Sequence, residues 1–134
     1  MKKLGFGLMR LPLLDKNNKS SINQEQFNKM VDYFMENGFN YFDTAYTYFD
    51  GNSEIAFKKA VVERYPRESF LIADKLPIFD LKSTQHMYEI FDKQLERCGV
   101  DYFDYYMLHN ISTKHEEKYT KIDSFKFIKD KKKE

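Results

Sequence analysis

Three ionisable side chains of different type stand where short apolar runs give way to polar sequence: Asp43 closes NYFD, Lys75 sits in LIADKLP, and His109 closes YYMLH. A tyrosine, Tyr48, follows Asp43 by five positions in a stretch too polar to be core. Taken singly, each has an ordinary explanation. Asp43 reads as a turn former or helix cap, Lys75 as a surface residue, His109 as a half-buried histidine, and Tyr48 as one of ten tyrosines. Together they are harder to dismiss, because three successive strand-like segments would each have to end in a different titratable group by chance.

The chemistry such a set could do is proton transfer to a carbonyl oxygen. A lysine held by a carboxylate favours the phenolate of a nearby tyrosine, so a phenol whose ordinary pKa is ~10 becomes able to give and take a proton near neutrality. A histidine can donate a hydrogen bond to the substrate oxygen and orient it. Hydride must then reach the carbon, and no side chain supplies hydride, so a nicotinamide cofactor is implied. A metal-assisted reading, with Asp43 and His109 as ligands, is opposed by Lys75 between them, whose charge repels a cation; no metal ligands are assigned.

Convergence requires the three residues to share one edge of a sheet. Leu4 to Leu11 is short and apolar and predicts strand one, followed by a polar loop from Asp15 to Ser21. Ser21 with Gln24 resembles a capping box. It opens a helix on which Phe27, Met30, Val31, Phe34 and Met35 recur at helical spacing until Gly38. Tyr41 to Asp43 predicts strand two, Thr44 to Asn52 a loop, and Ser53 the cap of a helix carrying Ile55, Ala56, Ala60 and Val61. Pro66 ends that helix. Phe70 to Lys75 predicts strand three, closed by Pro77, and Ser83 caps a helix with Met87, Ile90, Phe91 and Leu95 that Gly99 ends. Tyr102 to His109 predicts strand four, and a last helix runs from about Ile122 to the solvated KDKKKE terminus.

Strand and helix alternate four times, which argues for a parallel sheet with helical crossovers and leaves a doubly wound sheet and a barrel both open. In either, the carboxyl ends of neighbouring strands lie about 4.8 Å apart along one edge, where ligands bind. Gly5 and Gly7 do not form a dinucleotide-binding glycine fingerprint, because position 10 is Arg.

With 134 residues the chain is read as one domain, 1–134. Its 22 Lys and Arg against 21 Asp and Glu give no general electrostatic reason to bind nucleic acid or a membrane surface. A single cysteine, Cys98, excludes an intramolecular disulfide and suits a reducing compartment. No apolar run approaches the ~20 residues of a membrane span, and the N-terminal segment, interrupted by Arg10 and Pro12, is read as mature sequence. A soluble, cytoplasmic protein is expected.

GFGLMRLP, NYFDTAYTY, GNSE, LIADKLP and DYFDYYMLHN together resemble the aldo-keto reductases, in order and over essentially the whole chain. The opening strand is most similar to that of the bacterial subgroup with a Gly-Phe-Gly-x-Met-Arg start. The resemblance implies a (β/α)8 TIM barrel and NADPH-dependent reduction of an aldehyde or ketone. It implies Asp43, Tyr48, Lys75 and His109 as the catalytic tetrad, with Tyr48 the proton donor. It also implies Leu8, Met9 and Asp43 as cofactor contacts at the nicotinamide end. Eight-unit barrels run to ~250 residues, so this chain is expected to be the N-terminal half, with about four βα units. Its edge strands one and four would then be unpaired, with inward apolar residues such as Leu8, Leu71 and Met107 exposed. Two readings follow: a carbonyl reductase acting on a small-molecule substrate, or a truncated, inactive chain serving as an association module. Either could form a homo-oligomer through the strand edges.

Overall fold

The computed structural model of the chain describes residues 3–78 and 81–133. Four short strands, β1 (Gly5–Gly7), β2 (Tyr41–Asp43), β3 (Leu71–Leu76) and β4 (Tyr105–Leu108), form one sheet in the order β1-β2-β3-β4. Every neighbouring pair is parallel, with Gly7 opposite Asp43, Asp43 opposite Ala73, and Lys75 opposite Met107. A doubly wound sheet reverses its strand order at a switch point. Here the order simply follows the chain, so the architecture is α/β and that of a barrel segment: the N-terminal half of a (β/α)8 barrel.

Helices cover one face only. Helix α1 (Gln24–Glu36) buries Phe27, Val31 and Phe34, spaced at i, i+4 and i+7. Helix α2 (Asn52–Phe57) continues through a wider turn at Lys58–Val62, and α3 (Thr84–Cys98) buries Met87, Ile90, Gln94 and Cys98. Between α1, α2 and the sheet lies an aromatic seam. Phe42 is in ring contact with Phe6, Phe34 and Phe57, and Phe57 with Phe70, at centroid distances of 5.3 to 5.9 Å. Such pairs add roughly 0.5–1.5 kcal/mol each beyond the area they bury.

The other face is nearly bare. Alternation along the strands places Gly5, Gly7, Tyr41, Asp43, Leu71, Ala73, Lys75, Tyr105 and Met107 on it. A Cβ on Gly5 would stand 2.8 Å from Tyr41 Cδ1. The absent side chain gives the Tyr41 ring its place, and Tyr41 meets Tyr105 across the sheet at 5.5 Å between centroids.

Several boundaries differ from expectation. Strand one spans Gly5–Gly7 rather than Leu4 to Leu11, because the chain turns out of the sheet at Leu8. The Leu8 N–H still donates to Asp43 O at 2.8 Å, but its side chain is fully buried in the aromatic core instead of exposed on the inner face. Ser21 does not cap α1. Its Oγ accepts from Asp15 N and donates to Asn18 O, closing the preceding loop, and Asn23 caps the helix by accepting from Gln26 N at 3.0 Å. Ser53 does not cap α2 either. Gly51 is the cap residue, and Ser53, buried in the first turn, pairs with Thr44 Oγ1 at 2.9 Å and donates to Leu8 O at 3.1 Å. The Ser83 cap and the Gly99 stop on α3 are as expected.

The helix expected from about Ile122 is α5 (Ser124–Lys131), and a further short helix, α4 (Glu116–Lys121), precedes it, the two separated at Asp123, whose φ is 58°. Each helix has its own anchor. Tyr119 on α4 is fully buried and donates to His109 O at 2.5 Å, while Phe127 on α5 packs edge-on against Tyr88 at 4.9 Å. The end of the lysine-rich terminus, residue 134, lies outside the described residues.

Candidate active site

Asp43 is the last residue of β2, Lys75 the penultimate residue of β3, and His109 the first residue after β4. His109 N still donates to Leu76 O at 2.9 Å, so the ladder runs one step past the strand and fixes where the histidine leaves it. Lys75 Nζ donates to Asp43 Oδ1 at 2.6 Å and to Thr44 O at 2.5 Å. The ammonium is thereby pinned by a charge-assisted bond and a backbone carbonyl, both at the end of β2.

Tyr48 reaches this pair from the loop. Its ring centroid lies 5.1 Å from Lys75 Nζ and 5.8 Å from the His109 ring, which it meets edge to face at 84°. The loop is held in a demanding shape: Phe49 and Asp50 take φ of 51° and 56°, and Gly51 takes 89°. Non-glycine residues with positive φ are uncommon and persist where surrounding contacts enforce them. Here Asn52 Nδ2 donates to Phe49 O at 2.7 Å. The Arg97 guanidinium packs against Gly51, where a Cβ would stand 2.6 Å from its Cζ, and lies 4.7 Å from the Tyr46 ring centroid. Arg97 from α3 thus clamps both ends of the turn that presents Tyr48.

All four side chains, Asp43, Tyr48, Lys75 and His109, are half-buried. Burial, and then the neighbouring Lys75 charge, hold the His109 imidazole below its ordinary value against the opposing pull of Asp43. It is therefore neutral at physiological pH and carries one ring N–H donor. Among the described residues, nothing hydrogen-bonds the Tyr48 hydroxyl or the His109 ring nitrogens, so both are available to an added ligand. The arrangement offers two neutral hydrogen-bond donors beside one fixed positive charge, which suits an oxygen that gains negative charge during a reaction.

The two remaining positions separate. Met9 is exposed at 54% on the way out of β1, whereas Leu8 meets the site only through its backbone. Sequence reasoning missed Thr44, whose carbonyl shares the lysine, because backbone acceptors leave no trace in residue type. It also missed the Arg97 clamp. The GNSE run contained two of its parts, Gly51 and Glu54, but Arg97 lies more than forty residues away in a stretch that reads as ordinary amphipathic helix. Among the described residues, no helix is long and apolar enough to cross a membrane.

Residues 3–134 match the model of the aldo/keto reductase family. A probable aldo-keto reductase from Glycine max is 30% identical over 127 residues, which cover 84% of this chain and 34% of that protein. Among solved structures, the holo form of an aldo-keto reductase from Bacillus halodurans superposes with a TM-score of 0.65 at 26% identity, covering 91% of this chain and 42% of that one. An aldo-keto reductase from Klebsiella pneumoniae in complex with NADPH gives a TM-score of 0.62 at 21% identity, covering 90% of this chain and 40% of its own. The chain therefore spans between a third and a half of the length of these relatives. With the sheet order, the strand-end residues and a family match from residue 3 to residue 134 in agreement, the chain belongs to the aldo/keto reductase family.

Proposed function

We propose that the chain carries the catalytic half of an NADPH-dependent carbonyl reductase, with Tyr48 as the proton donor to an aldehyde or ketone oxygen. The observation that carries this reading is the convergence of Tyr48, Lys75 and His109, with centroid separations of 5.1 and 5.8 Å, around one open corner of the sheet. His109, neutral, donates a hydrogen bond that orients the carbonyl. Tyr48 holds a proton on its hydroxyl oxygen and releases it as negative charge builds on the substrate. Lys75, fixed by Asp43 and Thr44, stabilises the phenolate left behind. Removing one such fixed stabiliser of developing charge typically costs roughly two orders of magnitude in rate.

The residues present fit the nicotinamide end of the cofactor. Gly7 faces open space, with nothing within 4 Å of where its Cβ would be, directly beside Asp43. Asp43, the Leu8 backbone and Met9 would hold it there. When bound, NADPH supplies hydride to the carbonyl carbon. The Klebsiella relative binds NADPH, which supports this choice at the level of the family.

The test is a titration of the chain with NADPH followed by fluorescence, then carbonyl-dependent NADPH oxidation by the chain and by Tyr48→Phe. Binding with turnover that the substitution abolishes is the expected result. No binding, or turnover indifferent to Tyr48, overturns the assignment. A second reading, association without turnover, is favoured by exposed Tyr105 and Met107 on the outermost strand β4. It expects a defined homo-oligomer by light scattering together with no affinity for NADPH.

A further inference from the structure

On the helix-covered side of the sheet, opposite the Asp43–Lys75 pair, Glu54, Asp74, Gln94 and Cys98 are all fully buried. Oxygens of Glu54 and Asp74 and the Cys98 sulfur lie within 4.8 Å of one another. Glu54 Oε2 accepts from Arg97 Nη1 at 3.1 Å, while buried Oε1 has no donor among the described residues. Asp74 Oδ1 accepts from Lys75 N at 2.7 Å, and its Oδ2 faces the Cys98 thiol at 3.7 Å. With one oxygen of each carboxyl group within that 4.8 Å and, among the described residues, no donor to Glu54 Oε1, the two acids are close neighbours buried from water. Two ionised carboxylates present only acceptors to each other, so a hydrogen on one of them is what would give the orphaned oxygen a donor.

Charge balance points the same way. The groups facing Asp74 are Glu54 from α2, Lys75 from its own strand, Gln94, Arg97 and Cys98 from α3, and Tyr106 from β4. The Lys75 ammonium is spent on the other face, on Asp43 and Thr44. Among the described residues Arg97 is then the one cation shared by two acids buried from water, and an unpaired buried charge is far costlier than a bound proton. A divalent cation is disfavoured, since Arg97 already occupies Glu54.

We propose that Asp74 is a neutral carboxylic acid in the folded chain, donating its hydroxyl hydrogen to Glu54 Oε1, and that the Asp74–Glu54–Arg97 relay is a positioning device for the site. Burial and the Glu54 charge, which push the Asp74 carboxyl well above the usual range, support this. The relay touches the site twice from behind. Asp74 and Gln94 hold the Lys75 backbone, through its N–H and through its carbonyl at 3.1 Å, and Arg97 seats the Tyr48 loop against Gly51. The proton is independent of the proposed reductase reading; only the effect on turnover rests on it.

The experiment is infrared spectroscopy of the chain at neutral pH, with and without Asp74→Asn, beside urea unfolding from acid to neutral pH. The wild-type chain should show the carbonyl stretch of a protonated carboxylic acid, lost in Asp74→Asn. A folded-state pKa raised above the unfolded ~3.9 means that the folded chain keeps a proton the unfolded chain releases. The folding constant should therefore fall up to tenfold per pH unit as pH rises above ~4, a slope missing in Asp74→Asn. Asparagine can still donate to Glu54 and accept from Lys75. The Lys75 amide should accordingly stay protected from hydrogen exchange in Asp74→Asn and lose protection in Asp74→Leu. Should Asp74→Leu fail to fold, the band and the slope decide. An infrared spectrum unchanged by Asp74→Asn, or equal slopes in the two proteins, overturns the proposal whether or not the chain binds NADPH.

Discussion

Replacing Gly51 with alanine tests whether the loop that presents Tyr48 is held from α3. Two costs arise. Gly51 has φ of 89°, and left-handed backbone costs an L-residue roughly 1–2 kcal/mol. The new methyl would also stand 2.6 Å from Arg97 Cζ and Nη1, so the guanidinium must leave. Glu54, fully buried, then loses its Arg97 partner, and breaking such a pair costs about 3–5 kcal/mol. Together the loss is about 4–7 kcal/mol, a large part of the 5–15 kcal/mol typical of a domain. The chain has no tryptophan, so urea unfolding is followed by helical circular dichroism. A double-mutant cycle separates the terms. Arg97→Ala alone should cost about 3–5 kcal/mol, and adding Gly51→Ala to it only the backbone term of ~1–2 kcal/mol. The two changes are thus strongly non-additive. If they add, or if Gly51→Ala alone costs under ~1 kcal/mol, the clamp is not what holds the loop.

Other consequences are simpler to check. Because burial and Lys75 depress the His109 pKa, the unfolded chain takes up a proton at this residue before the folded one does; stability from it is present above ~6.5 and lost as pH falls below. Proton NMR should give a His109 midpoint below ~6.5, and Lys75→Met should move it upward; a midpoint unchanged by Lys75→Met would remove the lysine as a cause. Asp32 accepts two bonds from Arg64 at 2.7 Å and one from the Tyr65 hydroxyl at 2.5 Å, so Asp32→Ala should cost about 1–2 kcal/mol in urea unfolding. In that variant Tyr65, pushed up to about 12 by burial and by Asp32, should titrate at lower pH in an ultraviolet titration. Lys75→Met should slow any Tyr48-dependent carbonyl reduction by roughly two orders of magnitude while leaving helical content unchanged.

What could be read in advance followed the physics of each signal. Period-two and period-3.6 patterns have many residues behind them, so the four strands, the first three helices and the parallel alternation were all legible, with Tyr41 to Asp43 right to the residue. Side chains at strand ends were legible too, since a titratable residue closing an apolar run is visible locally. Caps were harder. Ser21 and Ser53 have the right type and spacing, but each hydroxyl found a better partner, one in its own loop and one on Leu8 and Thr44 at the ends of the strands. Tertiary partners of this kind outbid local preference and cannot be seen in a window of four residues. The relay behind the sheet was invisible for the opposite reason. Asp74 looks like one more polar residue in a short strand, and only the packing of α2 and α3 reveals three acidic or thiol groups around one arginine.

The bare face of the sheet has an implication for how the chain behaves in water. Its floor is glycine and alanine, and what rises from it is Tyr41, Tyr105, Asp43 and Lys75, each of which ends in a polar atom, with Leu71 and Met107 as the apolar members of the face. Leu8, which would have made the floor greasy, is turned into the aromatic core on the other side. Around Asp43 and Lys75 this face is therefore wettable. Solvent can occupy that part of the face, and the same polar tips that tolerate water are those a polar guest would meet in its place.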